Sequence, residues 1–256
     1  NKKSLKIVSN LYKKIIKANL YQAKNIKVAE CAKLIENAQR DINISFINEI
    51  SLICSKLKIH TSDVLSAAKT KWNFLDFKPG LVGGHCISVD PFYLTYAAKK
   101  LNYSPKVILS GRSINDNMGF YIASVILKKL KEKNIKYRTA RVGIMGLTFK
   151  ENCSDIRGSK IIDTIRKLRE KKISTTVYDP LVNTDELKKI DSQIKIKKLK
   201  KKFDILIIAV AHKKFLKLKY SFIKNLLKNK NSILFDIKSI FDKNILNKKG
   251  IEFWSL

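Results

Sequence analysis

The sequence predicts an α/β chain in which a helical first half is followed by a Rossmann-like parallel-sheet domain. Three observations predict it. Apolar residues recur at helical spacing through the first half. A glycine- and proline-bearing loop interrupts that half. Short, almost purely apolar runs alternate with helical stretches in the second half. Strands read as unbroken apolar runs when helices cover both faces of a parallel sheet.

From about Ile26 to Leu57, the residues Val28, Cys31, Ala32, Ile35, Ile42, Ile44, Phe46, Ile47 and Ile50 form the helical pattern. A second long helix is predicted from Pro105 to Lys133, since a proline suits a first turn. Between them, Lys78 to Pro91 reads as a loop, and Phe92 to Leu101 as a further helix. Arg141 to Leu147 is a buried strand ending in a glycine turn, and Ile161 to Lys171 is an amphipathic helix. Ser174 to Tyr178 is a β-branched strand stopped by Asp179-Pro180. Asp204 to Val210 and Ser232 to Ile237 are further strands, with a helix at Phe222 to Asn229 between them. The boundary between the halves falls near Lys133–Tyr137, which gives domains 1–135 and 136–256. In such sheets ligands bind beyond the carboxyl ends of the strands, so Thr148, Phe149 and Lys150 mark a candidate site.

The chain has 256 residues, 53 Lys and Arg against 21 Asp and Glu, and a formal charge of +32. The charge suggests a polyanion partner, but it is nearly all lysine and spread over every segment, while arginine is scarce. The densest run, Lys195 to Lys202, has no interleaved aromatic and reads as a solvated face. A basic nucleic-acid-binding protein is therefore kept only as a rival reading. No apolar run reaches the roughly 18 residues of a membrane span, and no secretory signal is visible. The four cysteines, Cys31, Cys54, Cys86 and Cys153, lack C-x-x-C spacing. Reduced cytoplasmic thiols and no metal site are expected. The first residue is Asn1 rather than Met, so a fragment is expected.

The run Phe77-Lys78-Pro79-Gly80-Leu81-Val82-Gly83-Gly84-His85-Cys86-Ile87-Ser88-Val89-Asp90-Pro91 carries the most chemistry. Gly83 and Gly84 have no Cβ, so the backbone can turn tightly and a substrate can come close. A thiol presented just after them, beside backbone N–H groups, has the form of a nucleophile. A buried cysteine after a glycine turn would read the same way.

Three further blocks fall into order with that run. They are Ala29-Glu30-Cys31-Ala32-Lys33-Leu34-Ile35-Glu36-Asn37-Ala38-Gln39-Arg40-Asp41, then Gly146-Leu147-Thr148-Phe149-Lys150-Glu151-Asn152-Cys153-Ser154-Asp155-Ile156-Arg157, and the weaker Tyr178-Asp179-Pro180. With these blocks the whole chain resembles the UDP-glucose/GDP-mannose dehydrogenase family of NAD-dependent nucleotide-sugar 6-dehydrogenases. Gly-Gly-His-Cys-Ile-x-Val-Asp-Pro is most like the branch acting on UDP-N-acetylglucosamine or UDP-N-acetylgalactosamine. The UDP-glucose branch usually carries Gly-Gly-Ser-Cys. The resemblance implies a helical central dimerisation region, a C-terminal UDP-sugar domain and a preceding NAD domain outside this chain. That placement agrees with the absence of G-x-G-x-x-G.

The resemblance also implies a mechanism. C6 of the sugar is oxidised twice, from alcohol to carboxylate, for polysaccharide precursor synthesis. Cys86 adds to the aldehyde to give a thiohemiacetal, which is oxidised to a thioester and hydrolysed. Lys33 and Asn37, four residues apart and so on one helix face, would hold the C6 oxygen. Asp90 would orient or deprotonate the water. Lys150, with Gly83 and Gly84, would bind the UDP-sugar, and Arg157 would reach the cofactor.

Each assignment has a plainer rival. Lys33 is one lysine among dozens, and Asn37 can be a solvent-facing polar residue. Asp90 suits a cap before Pro91. Asp155 and Arg157 can form a local salt bridge. His85 reads as a loop or substrate contact rather than the base of a Cys–His pair, and Tyr178-Asp179-Pro180 as a turn. Cys31, Cys54 and Cys153 read as packing or incidental residues. Arg112, Asn115 and Asp116 form a polar cluster before the stripe Phe120, Ile122, Val125 and Ile126, which the resemblance makes a homodimer interface. A UDP-sugar-binding remnant without chemistry is the second rival for the whole chain.

Overall fold

The computed structural model describes residues 1–200 and 202–256. The first half is helical: α1 (Lys2–Lys13), α2 (Ile26–Leu57), α3 (Thr61–Ala68), α4 (Asp90–Lys100) and α5 (Lys106–Glu132). Asn25 starts α2 by accepting from Val28 N at 3.0 Å, and Lys58 ends it in the left-handed region at φ 58°. Pro105 stands just before α5, where its missing N–H costs nothing.

The second half is a five-stranded parallel sheet in the order β2-β1-β3-β4-β5. Its strands are β1 (Arg141–Met145), β2 (Ser174–Tyr178), β3 (Ile205–Ile208), β4 (Ile233–Asp236) and β5 (Glu252–Trp254). β3 and β4 are buried along their whole length, as their all-apolar sequences require. The crossovers carry α6 (Ile161–Glu170), α7 (Thr184–Ile190), α8 (Lys213–Leu216), α9 (Tyr220–Leu226) and α10 (Lys243–Lys248). On one face α5 and α6 pack Met118, Ile122, Ile126, Ile161, Ile165 and Leu168 against Val142, Ile144 and Ile207. On the other, Phe215, Ile223 and Leu246 cover Leu206, Ile208 and Leu234.

Helix α5 joins the two halves. Its early turns lie on α2, where a Cβ at Gly111 would sit 2.8 Å from Ser45 Oγ. Its later turns lie on α6, where Thr164 Oγ1 donates to Gly119 O at 2.8 Å. This corrects the expected interface stripe. Ile122 and Ile126 are fully buried within the chain, whereas Phe120 is exposed. A helical period of 3.6 sends Phe120 to a different face from Ile122 and Ile126.

The early part of α2 also departs from its pattern. Ile26, Val28 and Ile35 are exposed, as is Cys31. Cys54 is buried and Cys153 half-buried. Helices α1, α3, α7, α8 and α10 and strand β5 went unread in the sequence; most are short. Of the Lys195 to Lys202 run, Lys201 lies outside the described residues. The other lysines of the run are exposed.

Candidate active site

Three of the predicted residues, Asn37, Cys86 and Asp90, meet where α2, the glycine loop and α4 come together, and Lys33 lies one helical turn before Asn37. Asn37 is buried on α2, and its Nδ2 donates to Asp90 Oδ2 at 2.5 Å. Asp90 opens α4, with Pro91 behind it, where a helix N-terminus favours negative charge. Its backbone N and that of Val89 both donate to Cys86 O, at 2.8 and 3.0 Å, so the thiol and the carboxylate share one turn. Cys86 is exposed. Lys33, one turn before Asn37, donates from Nζ to Glu36 Oε2 at 2.7 Å. That bond chiefly raises its pKa; the charges of Glu36, Cys86 and Asp90 add to the rise. Lys33 is thus within electrostatic reach of both the thiol and Asp90.

The loop bearing the thiol is anchored at its start by Asn48, which sequence reasoning missed. Asn48 is fully buried; its Nδ2 donates to Gly80 O at 3.0 Å, and its Oδ1 accepts from Gly80 N at 2.8 Å. The same amide donates to Asn115 Oδ1, and Asn115 donates to Asp41 Oδ1 at 2.7 Å. Arg112 Nη1 donates to Asp41 Oδ1, also at 2.7 Å. Burial pushes the Asp41 carboxyl up, and Arg112 and Asn115 oppose it. The polar cluster read at Arg112, Asn115 and Asp116 is therefore the support beneath the loop. The signal available was a run of polar side chains at helical spacing opposite others on α2.

Beyond the strand ends lies a cavity of about 550 Å³, lined by Lys78, Gly80 to Gly83, Phe149, Lys150, Glu151, Ala211 and Lys238. It sits where ligands bind in doubly wound sheets. Lys150 is exposed on its rim, with Nζ 5.3 Å from the Phe149 ring centre. Lys238, also unread in the sequence, reaches Glu151 at 3.4 Å. Burial pushes Glu151 up, but the Lys238 ammonium and a backbone hydrogen bond together leave the carboxyl below its ordinary value.

A buried pair holds the loop after β1. Asp179 accepts from Leu147 N at 2.6 Å, Thr148 N at 3.2 Å and His212 Nε2 at 3.1 Å. His212 Nδ1 accepts from Asn152 N at 2.9 Å, which places the ring proton on Nε2, toward Asp179. Asp179 is thus a structural carboxylate. Its turn was legible in the sequence, but its partners were not.

Arg157 is largely exposed, with Nε and Nη2 each 3.0 Å from the Asp155 carboxylate. His85 Nε2 lies 2.6 Å from Asp155 Oδ2. The turn after β1 does not make a dinucleotide cradle. Gly143 is pressed against Phe203, where a Cβ would lie 2.8 Å from the ring, and a long loop, not a helix, follows Gly146. Among the described residues no cluster of three or more His, Cys, Asp or Glu is placed to hold a metal. No helix is long and apolar enough to cross a membrane.

The chain is thus a helical region followed by a five-stranded parallel sheet, with the thiol loop where the two meet. Residues 27–117 match the central domain of the UDP-glucose/GDP-mannose dehydrogenase family, and residues 143–243 match that family's UDP binding domain. The chain belongs to this family. It is 48% identical to Protein CapL of Staphylococcus aureus over 95% of its own length and 57% of that protein. It is 43% identical to UDP-N-acetyl-D-glucosamine 6-dehydrogenase of Salmonella typhi over 91% of its length and 55% of that protein. The solved UDP-D-ManNAc dehydrogenase from Pyrococcus horikoshii superposes with a TM-score of 0.82 at 24% identity, covering 99% of this chain and 57% of that one. The chain spans about half the length of the curated relatives it matches.

Proposed function

We propose that this chain carries the thiol site and the UDP-sugar site of an NAD-dependent 6-dehydrogenase acting on a UDP-N-acetylhexosamine. The observation that supports it most is the bond from Asn37 to Asp90 at the turn that presents Cys86, with Lys33 one helical turn away on α2. Two NAD molecules would accept the two hydrides leaving C6, one each; the described residues do not build that site, and Arg157 is engaged with Asp155.

The chain's own residues act on the substrate. Lys150 faces the diphosphate, and the Gly83-Gly84 backbone lets the sugar approach. The Cys86 sulfur bonds to the C6 aldehyde carbon, and the carbonyl oxygen takes up the electron pair. Lys33 and Asn37 donate toward that oxygen, the kind of stabilisation whose loss costs on the order of a hundredfold or more in rate. After oxidation to the thioester, Asp90 takes a proton from water. Hydroxide adds to C6, and the C–S bond breaks to release carboxylate and thiol. We further propose two domains, 1–135 and 136–256, and a homodimer through exposed apolar residues of the central region such as Phe46, Tyr96 and Phe120.

The test is stoichiometric, on the product of the complete open reading frame. Two NADH per UDP-N-acetylglucosamine or UDP-N-acetylgalactosamine, with uronate formed, supports the reading. UDP binding with no NADH from any nucleotide sugar supports a binding remnant instead.

A further inference from the structure

We propose that His85 is a positioning residue for Cys86: clamped between the Asp155 carboxylate and the Phe149 ring, it couples the thiol loop to the anion site at Lys150. The proposal rests on the reading of Lys150 as a diphosphate contact. His85 Nε2 lies 2.6 Å from Asp155 Oδ2, and its ring meets Phe149 edge-on at 6.5 Å. The two loops also interlock through their backbones. A Cβ on Gly84 would sit 2.6 Å from Phe149 Cε2, and one on Gly83 would sit 2.4 Å from Gly158 O. No side chain fits between the two loops at either glycine, so they pack backbone against loop, and close packing transmits displacement.

The other end of the chain of contacts is Lys150. Its ammonium lies over the same Phe149 ring. Phe149 N donates to Asp155 O at 3.0 Å, so ring and carboxylate belong to one braced loop. Arg157 grips Asp155 through Nε and Nη2 and chiefly holds its carboxyl far below the usual range, with His85 contributing. Asp155 is therefore a permanent anion facing His85. A diphosphate on Lys150 draws its ammonium from the Phe149 face, and Phe149, Gly84 and His85 respond together.

The experiment measures the iodoacetamide labelling rate of Cys86, read by peptide mass spectrometry, with and without UDP. UDP has no sugar to cover the thiol. In the wild-type protein UDP is expected to change the rate by about fivefold or more, the lower range of site-to-site coupling. In His85→Ala the ratio is expected to fall to about one while UDP still binds, and His85→Gln, which keeps an N–H donor, restores it. A wild-type ratio in His85→Ala, or no UDP effect in a wild-type protein that binds UDP, overturns the coupling and leaves the nucleotide site standing. Failure of the wild-type protein to bind UDP overturns both. Should His85→Ala fail to fold, Phe149→Leu is expected to lose the ratio in the same way, and a retained ratio there overturns the proposal.

Discussion

The side-chain amide of buried Asn37 donates to the carboxylate of Asp90, 53 residues further along the chain, at 2.5 Å. This bond joins a helix face to the turn that carries the thiol. Asn37→Ala should lower the kcat for acid formation by on the order of a hundredfold, since it loses a donor and frees the carboxylate. Asp90→Asn should slow thioester hydrolysis in particular, so that a covalent adduct on Cys86 accumulates. Intact-mass spectra taken during turnover would show the adduct; its absence, with kcat unchanged, would remove Asp90 from the chemistry.

Cys86→Ser should abolish net oxidation to the acid while UDP affinity stays within about threefold, because the exposed thiol supports no packing. Calorimetric titration with UDP beside an NADH assay separates the two roles. A parallel loss of UDP binding would make Cys86 structural.

Asn48→Ala should destabilise the protein markedly without touching substrate. It leaves the Gly80 N–H and C=O without their partners in a buried setting, at about 1–3 kcal/mol for each unsatisfied group. The urea midpoint reads this directly. A shift worth less than about 0.5 kcal/mol, the usual scale for an inconsequential substitution, would show that the loop is held elsewhere.

Gly84→Ala meets two obstacles, a φ of +92° and the Phe149 ring 2.6 Å from the new Cβ. Removing the ring relieves only the second. Gly84→Ala should therefore lose activity and stability, and the double variant with Phe149→Ala should recover part of the stability, the left-handed backbone still costing about 1–2 kcal/mol. Additive losses in a thermal-melt cycle would contradict the interlock.

Acid stability should depend on Asp191. Arg169 and Arg166 surround its buried carboxylate, and the Arg169 hydrogen bond chiefly lowers its pKa from 3.8 to about 2. A depressed folded value means the stabilisation is present above the unfolded pKa and fades as pH falls from about 4 toward 2. Both arginines are substantially exposed, so solvent screening limits the contribution to roughly 1 kcal/mol. Asp191→Asn should flatten that part of the acid-unfolding curve; an unchanged curve would show the cluster to be energetically idle.

Much of the fold was legible because its signals are local. The run Ile205–Ile208 is strand by composition, and Ile26–Leu57 is helix by periodicity. The Phe120–Ile126 stripe misled for the same reason. Periodicity says that a face is apolar, not whether another chain or the same chain's own sheet covers it. Ile122 and Ile126 are buried by α6 and β1, far along in sequence.

The sequence by itself determined the family, the alternation of helix and apolar strand, and the residue types Cys86, Lys33, Asn37, Asp90 and Lys150, since these reside in contiguous blocks. Only the tertiary structure decided what they touch. It turned His85 to Asp155, set Asn48 beneath Gly80, closed His212 on Asp179 and brought Lys238 to the cavity wall. The physical reason is that a polar side chain takes its partner from wherever folding brings one, and a buried one must. The three hydrogen-bonded pairs lie 32 to 70 residues apart, beyond any local pattern.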